Sequence, residues 1–213
     1  MRTGFKIFSA LMELNGILVG LGNPGPQYVG TRHNMGFSVI QCVLEHAEKS
    51  GLNVDMLSGA KFKALLWKIH FGRDNTWLVA APQTYMNASG EAVQALLSWN
   101  KISPEKLLVV HDELDLPPGR IKLQLGGNPA GHNGLKSIQQ LTGTSNFYRL
   151  RIGIGRPPDK DNVISWVLGR FSTADKTIME QTFPRILEAI NTFIIHGSVR
   201  ALNFANCKNN RIN

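Results

Sequence analysis

Apolar positions along the chain switch between two periods, and the switches mark out alternating strands and helices. Residues 16–22 (GILVGLG) form a short apolar run ending in glycines, the pattern of a buried strand. Phe37, Ile40, Val43, Leu44 and Ala47 form a stripe that predicts a helix over 37–48. Residues 62–71 and 77–81 predict two strands around the polar turn GRDN at 72–75. Asn87 or Ser89 can cap a helix running to about Trp99. Residues 107–110 (LLVV) predict a strand that delivers His111 and Asp112 at its end. Residues 120–125 alternate, as a strand with one wet face does. Residues 132–141 predict a helix and 148–154 a further strand. A long helix is predicted over 173–196, with Pro184 bending or breaking it, and a short one over 198–206.

No repeat, low-complexity segment or linker interrupts this order. The fold expected is α/β, a single domain over residues 16–213 with a twisted mixed β-sheet flanked by α-helices. Active sites in such folds collect beyond the carboxyl ends of strands. Residues 1–15 read as a short N-terminal extension for which disorder is one reading, with Met12 as an alternative start.

Composition narrows the class. With 213 residues, 43 % hydrophobic and 18 % charged, the chain suits a soluble globule, and no apolar run is long enough to span a membrane. Cys42 and Cys207 are the only cysteines and lie far apart, which argues against a disulfide framework and fits a reducing cytoplasm. The net charge of +8 suits a polyanion partner. Its distribution says more, because residues 116–158 contain no Asp or Glu but hold Arg120, Lys122, Lys136, Arg149, Arg151 and Arg156. This stretch is either a scatter of solvated strand ends or a phosphate-contacting face.

Gly20-Leu-Gly-Asn-Pro-Gly25 matches a dinucleotide-binding fingerprint, yet Pro24, Pro26 and Gly30 punctuate the segment that should open directly into a helix. A tight turn exposing the Asn23 side chain is the better reading. His33, between Arg32 and Asn34 just before a helix, differs from His46, His70 and His196, which sit in ordinary helix and strand patterns. An imidazole there could deprotonate water near neutral pH. Asp112, Glu113 and Asp115 crowd one strand end, and only one is expected to orient the base; Glu113 reads as a solvated loop acid. His33, His111, Asp112 and His132 are residue types that bind zinc, but no short ligand spacing such as His-Glu-x-x-His is present, and no metal or other cofactor is expected. No serine or cysteine accompanies His33, so no covalent intermediate is expected.

Four runs, LVGLGNPG (18–25), TRHNM (31–35), VHDELDLPPG (110–119) and GHNGLK (131–136), together resemble bacterial-type peptidyl-tRNA hydrolases, from about residue 17 to 205. The resemblance implies a monomeric cytoplasmic enzyme that cleaves the ester between peptide and tRNA. It implies His33 as the catalytic base and Asp112 as its orienting acid, with His111 beside the site. It implies that Asn23 distinguishes a peptidyl from a free aminoacyl group, and that Met86, Asn87, His132 and Asn133 line the substrate and water site. Tyr28 and Tyr85 match positions contacting the tRNA end, and Lys122 and Arg151 would contact its phosphates. Three departures stand out: Tyr85 where many relatives carry Phe, Pro129 in a loop that some have richer in glycine, and Gln124 where some have lysine. A non-catalytic RNA-binding protein would share the basic face without needing His33 and Asp112 together. A small-molecule esterase would act without a tRNA moiety.

Overall fold

The computed structural model describes residues 14–159 and 162–207. Seven strands form one mixed sheet in the order β2-β3-β4-β1-β5-β7-β6. They are β1 (Gly16–Gly20), β2 (Asn53–Leu57), β3 (Ala64–His70), β4 (Thr76–Pro82), β5 (Leu107–Glu113), β6 (Ile121–Leu125) and β7 (Tyr148–Gly153). The central strands β4, β1, β5 and β7 run parallel, while β2, β3 and β6 add antiparallel edges. Every residue of β1, β4 and β5 is buried, which is why these strands read as continuous apolar runs.

Two apolar clusters cover the two faces of the sheet. On one face lie α1 (Met35–Lys49), α5 (Thr173–His196) and α6 (Ser198–Asn206), contributing Val39, Ile40, Ile186, Ile190 and Ala201. On the other lie α2 (Ser89–Asn100) and α3 (Asn133–Thr142), contributing Val93, Leu96, Leu135 and Ile138. The sixth helix, α4 (Val163–Leu168), buries none of its residues. The glycines of the dinucleotide-like run serve packing. A Cβ on Gly20 would lie 2.3 Å from the Gly36 carbonyl, and one on Gly22 would lie 2.6 Å from the Phe37 ring. These close approaches seat the start of α1 against the end of β1.

Several expectations change. β2 was not predicted, because its NVDML sequence carries no apolar run and Met56 faces solvent. α4 was not predicted either, being only six residues long. Phe62 belongs to a 3-10 turn and β3 begins at Ala64. Pro184 does not break α5: it lies on the exposed face, and so does Glu180, whose carbonyl it deprives of a partner and leaves to water. Of the expected N-terminal extension, residues 1–13, including Met12, lie outside the described residues. Asn15 bonds Thr76 through both backbone and side chain, so the fold begins before Gly16.

Candidate active site

β5 continues past the predicted Val110 to Glu113, so His111, Asp112 and Glu113 are held rigidly as strand residues. The turn Arg32–Asn34, entering α1, brings His33 alongside. His33 Nδ1 lies 2.9 Å and 3.1 Å from the two carboxylate oxygens of Asp112. Asp112 Oδ1 takes a second imidazole, His132 Nε2, at 3.0 Å. His132 is also the N-cap of α3, its Nδ1 accepting the Leu135 N–H at 3.4 Å.

These contacts assign the tautomers. His132 accepts at Nδ1 and therefore carries its proton on Nε2, donating to Asp112. His33 donates from Nδ1 to the same carboxylate, leaving its Nε2 as a lone pair with no hydrogen-bond partner among the described residues. Burial alone would raise the Asp112 pKa, but His132 and His33 outweigh it and hold the carboxyl well below the usual carboxylate range. His111 donates from Nδ1 to the Asp112 main-chain carbonyl at 2.7 Å. Burial, helped by His132, pushes the His111 pKa down to about 3, so this ring is a neutral spacer. Its Nε2 is buried without a partner.

A second polar knot fixes Asn23. The Asn34 side chain donates to Asn23 O at 2.9 Å and accepts from Asn23 N at 2.8 Å. Asn23 Oδ1 accepts the Met86 N–H at 2.7 Å. With its oxygen occupied, the end of the Asn23 amide that remains is the Nδ2 donor. Met86 is buried and Asn87 exposed beside it; Tyr28 and the exposed Tyr85 meet edge to face at 6.4 Å. Asn133, at the start of α3, lines a cavity of about 140 Å³ together with His33, Asp112, His132 and the 129–131 loop. Val163, Ile164 and Val167 of α4 close its far side.

The acid-free stretch is less free than its sequence suggests. Arg149 is buried and donates to the carbonyls of Gly127 and Asn128. Arg151 donates to Glu113 at 2.8 Å and to Gln124 at 2.9 Å, and Arg156 pairs with Asp115. Only Lys122 and Lys136 of this set are exposed with no ion pair or hydrogen bond among the described residues. Glu113 is correspondingly not a solvated loop acid but a buried strand residue neutralising Arg151.

Among the described residues, His33, Asp112 and His132 are the three whose ligand-type atoms converge, all within 4.8 Å. A metal-bound His132 Nε2 would need its proton on Nδ1, and that nitrogen already faces the Leu135 N–H. The hydrogen-bond polarity thus opposes a cation at this position.

Sequence comparison places this geometry among known proteins. The peptidyl-tRNA hydrolase family profile matches residues 17–212. The chain belongs to the peptidyl-tRNA hydrolase family. It is 49 % identical over 195 residues to the peptidyl-tRNA hydrolase of Desulfovibrio desulfuricans, covering 91 % of this chain and 85 % of that one. It is 41 % identical to the chloroplastic peptidyl-tRNA hydrolase of Arabidopsis thaliana, covering 92 % of this chain and 66 % of the plant protein. The crystal structure of peptidyl-tRNA hydrolase from Acinetobacter baumannii superposes with a TM-score of 0.80 at 36 % identity, covering 91 % of this chain and 96 % of the other. As a family member the chain is a hydrolase.

Some residues around this peptidyl-tRNA hydrolase site escape sequence reasoning. Asn34 occupies the N-cap position of α1 but makes no side-chain cap, bonding the Asn23 backbone instead. Its place beside His33 was the only available signal. The α4 wall gave none, because five apolar residues in a run of six do not define a period.

Proposed function

We propose that this protein hydrolyses the ester between peptide and tRNA in peptidyl-tRNA, recycling tRNA from peptidyl-tRNA released prematurely during translation. The observation that carries the mechanism is the His33 Nδ1–Asp112 pair, which leaves Nε2 available as a base. Nε2 takes a proton from water, and the water oxygen attacks the ester carbonyl carbon. The tetrahedral oxyanion then collapses, the bond to the tRNA 3′ oxygen breaks, and that oxygen takes the proton held on His33. Asp112 stabilises the transient imidazolium. Family membership supports the reaction class.

Asn23 presents its Nδ2 donor to a carbonyl oxygen. An N-blocked aminoacyl group has one more carbonyl than a free aminoacyl group, which gives this donor a basis for discrimination. Asn87 and Asn133 hold substrate and water, and the Tyr28–Tyr85 pair stacks on the unpaired 3′ bases at about 1–3 kcal/mol per base. Lys122, aided by the remaining donors of Arg151, contacts phosphates. The protein acts as a cytoplasmic monomer and needs no metal. No helix among the described residues is long and apolar enough to cross a membrane.

The test is hydrolysis of N-acetyl-aminoacyl-tRNA, with free aminoacyl-tRNA alongside, in chelator. Wild type should cleave only the blocked substrate. His33→Ala should lose about 10²- to 10⁴-fold in kcat, the usual contribution of a general base. Asp112→Asn should lose less and change the pH–rate profile. Its amide offers one acceptor to two imidazole donors and turns an NH2 toward one of them. Full activity in His33→Ala would sink the assignment. A folded wild type without turnover would favour a non-catalytic RNA-binding protein.

A further inference from the structure

Arg32 stands next to the base but points away from the cavity. It is 6 % exposed, and its guanidinium lies 3.7 Å from the centre of the Trp166 ring and 5.2 Å from that of Phe171. Nη1 donates to the Trp166 carbonyl at 3.2 Å, and Nη2 lies 3.9 Å from Asp175. The backbone repeats the connection: Arg32 N donates to Gly169 O at 2.9 Å, and Thr31 bridges to Arg170. One short segment therefore carries the base on one side and grips the end of α4 on the other.

α4 has little else to hold it. It has six residues, none buried, and no side-chain cap at its N-terminus. A helix this short does not persist without tertiary contacts. Trp166 supplies one, donating from its indole to Gly155 O at 2.8 Å. Among the described residues the other polar or cation–aromatic contact of the Trp166 side chain is the Arg32 stack, and Arg32 also donates to the Trp166 carbonyl near the helix C-terminus, where a cation is favoured. Yet α4 supplies Val163, Ile164 and Val167, the apolar wall of the cavity facing His33.

We propose that Arg32 and Trp166 form a latch, with Arg32 a positioning residue that fixes the apolar wall of the cavity relative to the catalytic turn. This rests on the hydrolase reading for its effect on turnover. The latch sets where substrate lies against His33 without touching the His33–Asp112 pair. Losing it should raise KM and leave kcat and the pH–rate profile close to wild type.

The experiment compares Arg32→Lys, Arg32→Met, Trp166→Leu and Trp166→Phe, after thermal melting has shown which variants are folded. Hydrogen exchange of residues 163–169 is read without substrate, and KM and kcat are read with N-acetyl-aminoacyl-tRNA. Arg32→Met and Trp166→Leu should each speed exchange and raise KM by about 3- to 30-fold, the range of a partly desolvated cation–aromatic contact. The double variant should be no worse than either single one. Arg32→Lys keeps the charge but not the planar stack and should fall between. Trp166→Phe keeps an aromatic face and should be milder than Trp166→Leu. If Arg32→Met does not fold, Trp166→Leu against Trp166→Phe carries the same comparison. Unchanged exchange, unchanged KM, additive effects in the double variant, or a fall in kcat at constant KM would each overturn the latch. An inactive wild type would instead overturn the hydrolase reading, and the exchange rates would then decide whether the latch exists.

Discussion

His111 shows how one residue type can hold opposite roles a few ångströms apart. It packs edge to face against His132 at 4.9 Å, and burial keeps it neutral down to about pH 3, whereas His33, also largely buried, lines the cavity. The difference has a consequence for stability. In the unfolded chain His111 takes a proton near its ordinary pKa of about 6.5. In the folded chain it does not do so until about pH 3. The unfolded state thus binds more protons between these values, and stability must fall as pH falls through that window. Asp112, with its depressed pKa, pushes in the same direction at lower pH, because protonating it removes the charge that both imidazoles bond. His111→Gln should therefore lose less stability than wild type between pH 7 and pH 5. Urea unfolding at the two pH values measures it, and equal losses would mean that His111 is not buried neutral.

At the scale of elements, the exposed side of β6 is closed by a side chain. Asn206, at the end of α6, accepts from Leu123 N and donates to Leu123 O, both at 3.0 Å, imitating a neighbouring strand. Asn206→Asp keeps the acceptor but turns a charged oxygen toward the Leu123 carbonyl. It should cost more than Asn206→Ala, itself about 1–2 kcal/mol, the scale of buried backbone groups left unpaired; chemical denaturation gives the order. Nothing in the local sequence announces this contact, which joins positions 83 apart. The elements that were legible share one property. β1, β5 and α1 bury enough side chains to impose a period, and β5 delivers His111 and Asp112 near the predicted place. β2 and α4 are thin edge pieces whose positions come from neighbours. His33 and Asp112 were legible as a candidate pair because a turn and a strand end carry them. Asn34, Arg32 and Glu113 were not, because their partners are set only once those elements pack.

Over the whole molecule, net charge is a poor guide to which cations are available. The chain carries +8, and its acid-free stretch suggests a broad phosphate face. In the fold, Arg149 binds loop carbonyls and Arg151 neutralises a buried glutamate, while Lys122 projects from β6 unpaired among the described residues. The two expected clamp residues should therefore fail differently. Lys122→Ala should weaken tRNA binding equally for different tRNAs and reduce the slope of log K against log salt by about 0.7–0.9, one phosphate contact. Its folding stability should barely change, since exposed unpaired charges contribute little. Arg151→Gln should instead destabilise the protein by about 3–5 kcal/mol, the cost of stranding a buried partner such as Glu113. Measuring both variants by salt-dependent tRNA binding and by urea unfolding separates the roles. Equal salt slopes in Lys122→Ala and wild type would remove Lys122 from the interface. An unimpaired fold in Arg151→Gln would show that Glu113 does not need its arginine, and would release Arg151 to serve as a phosphate ligand alone.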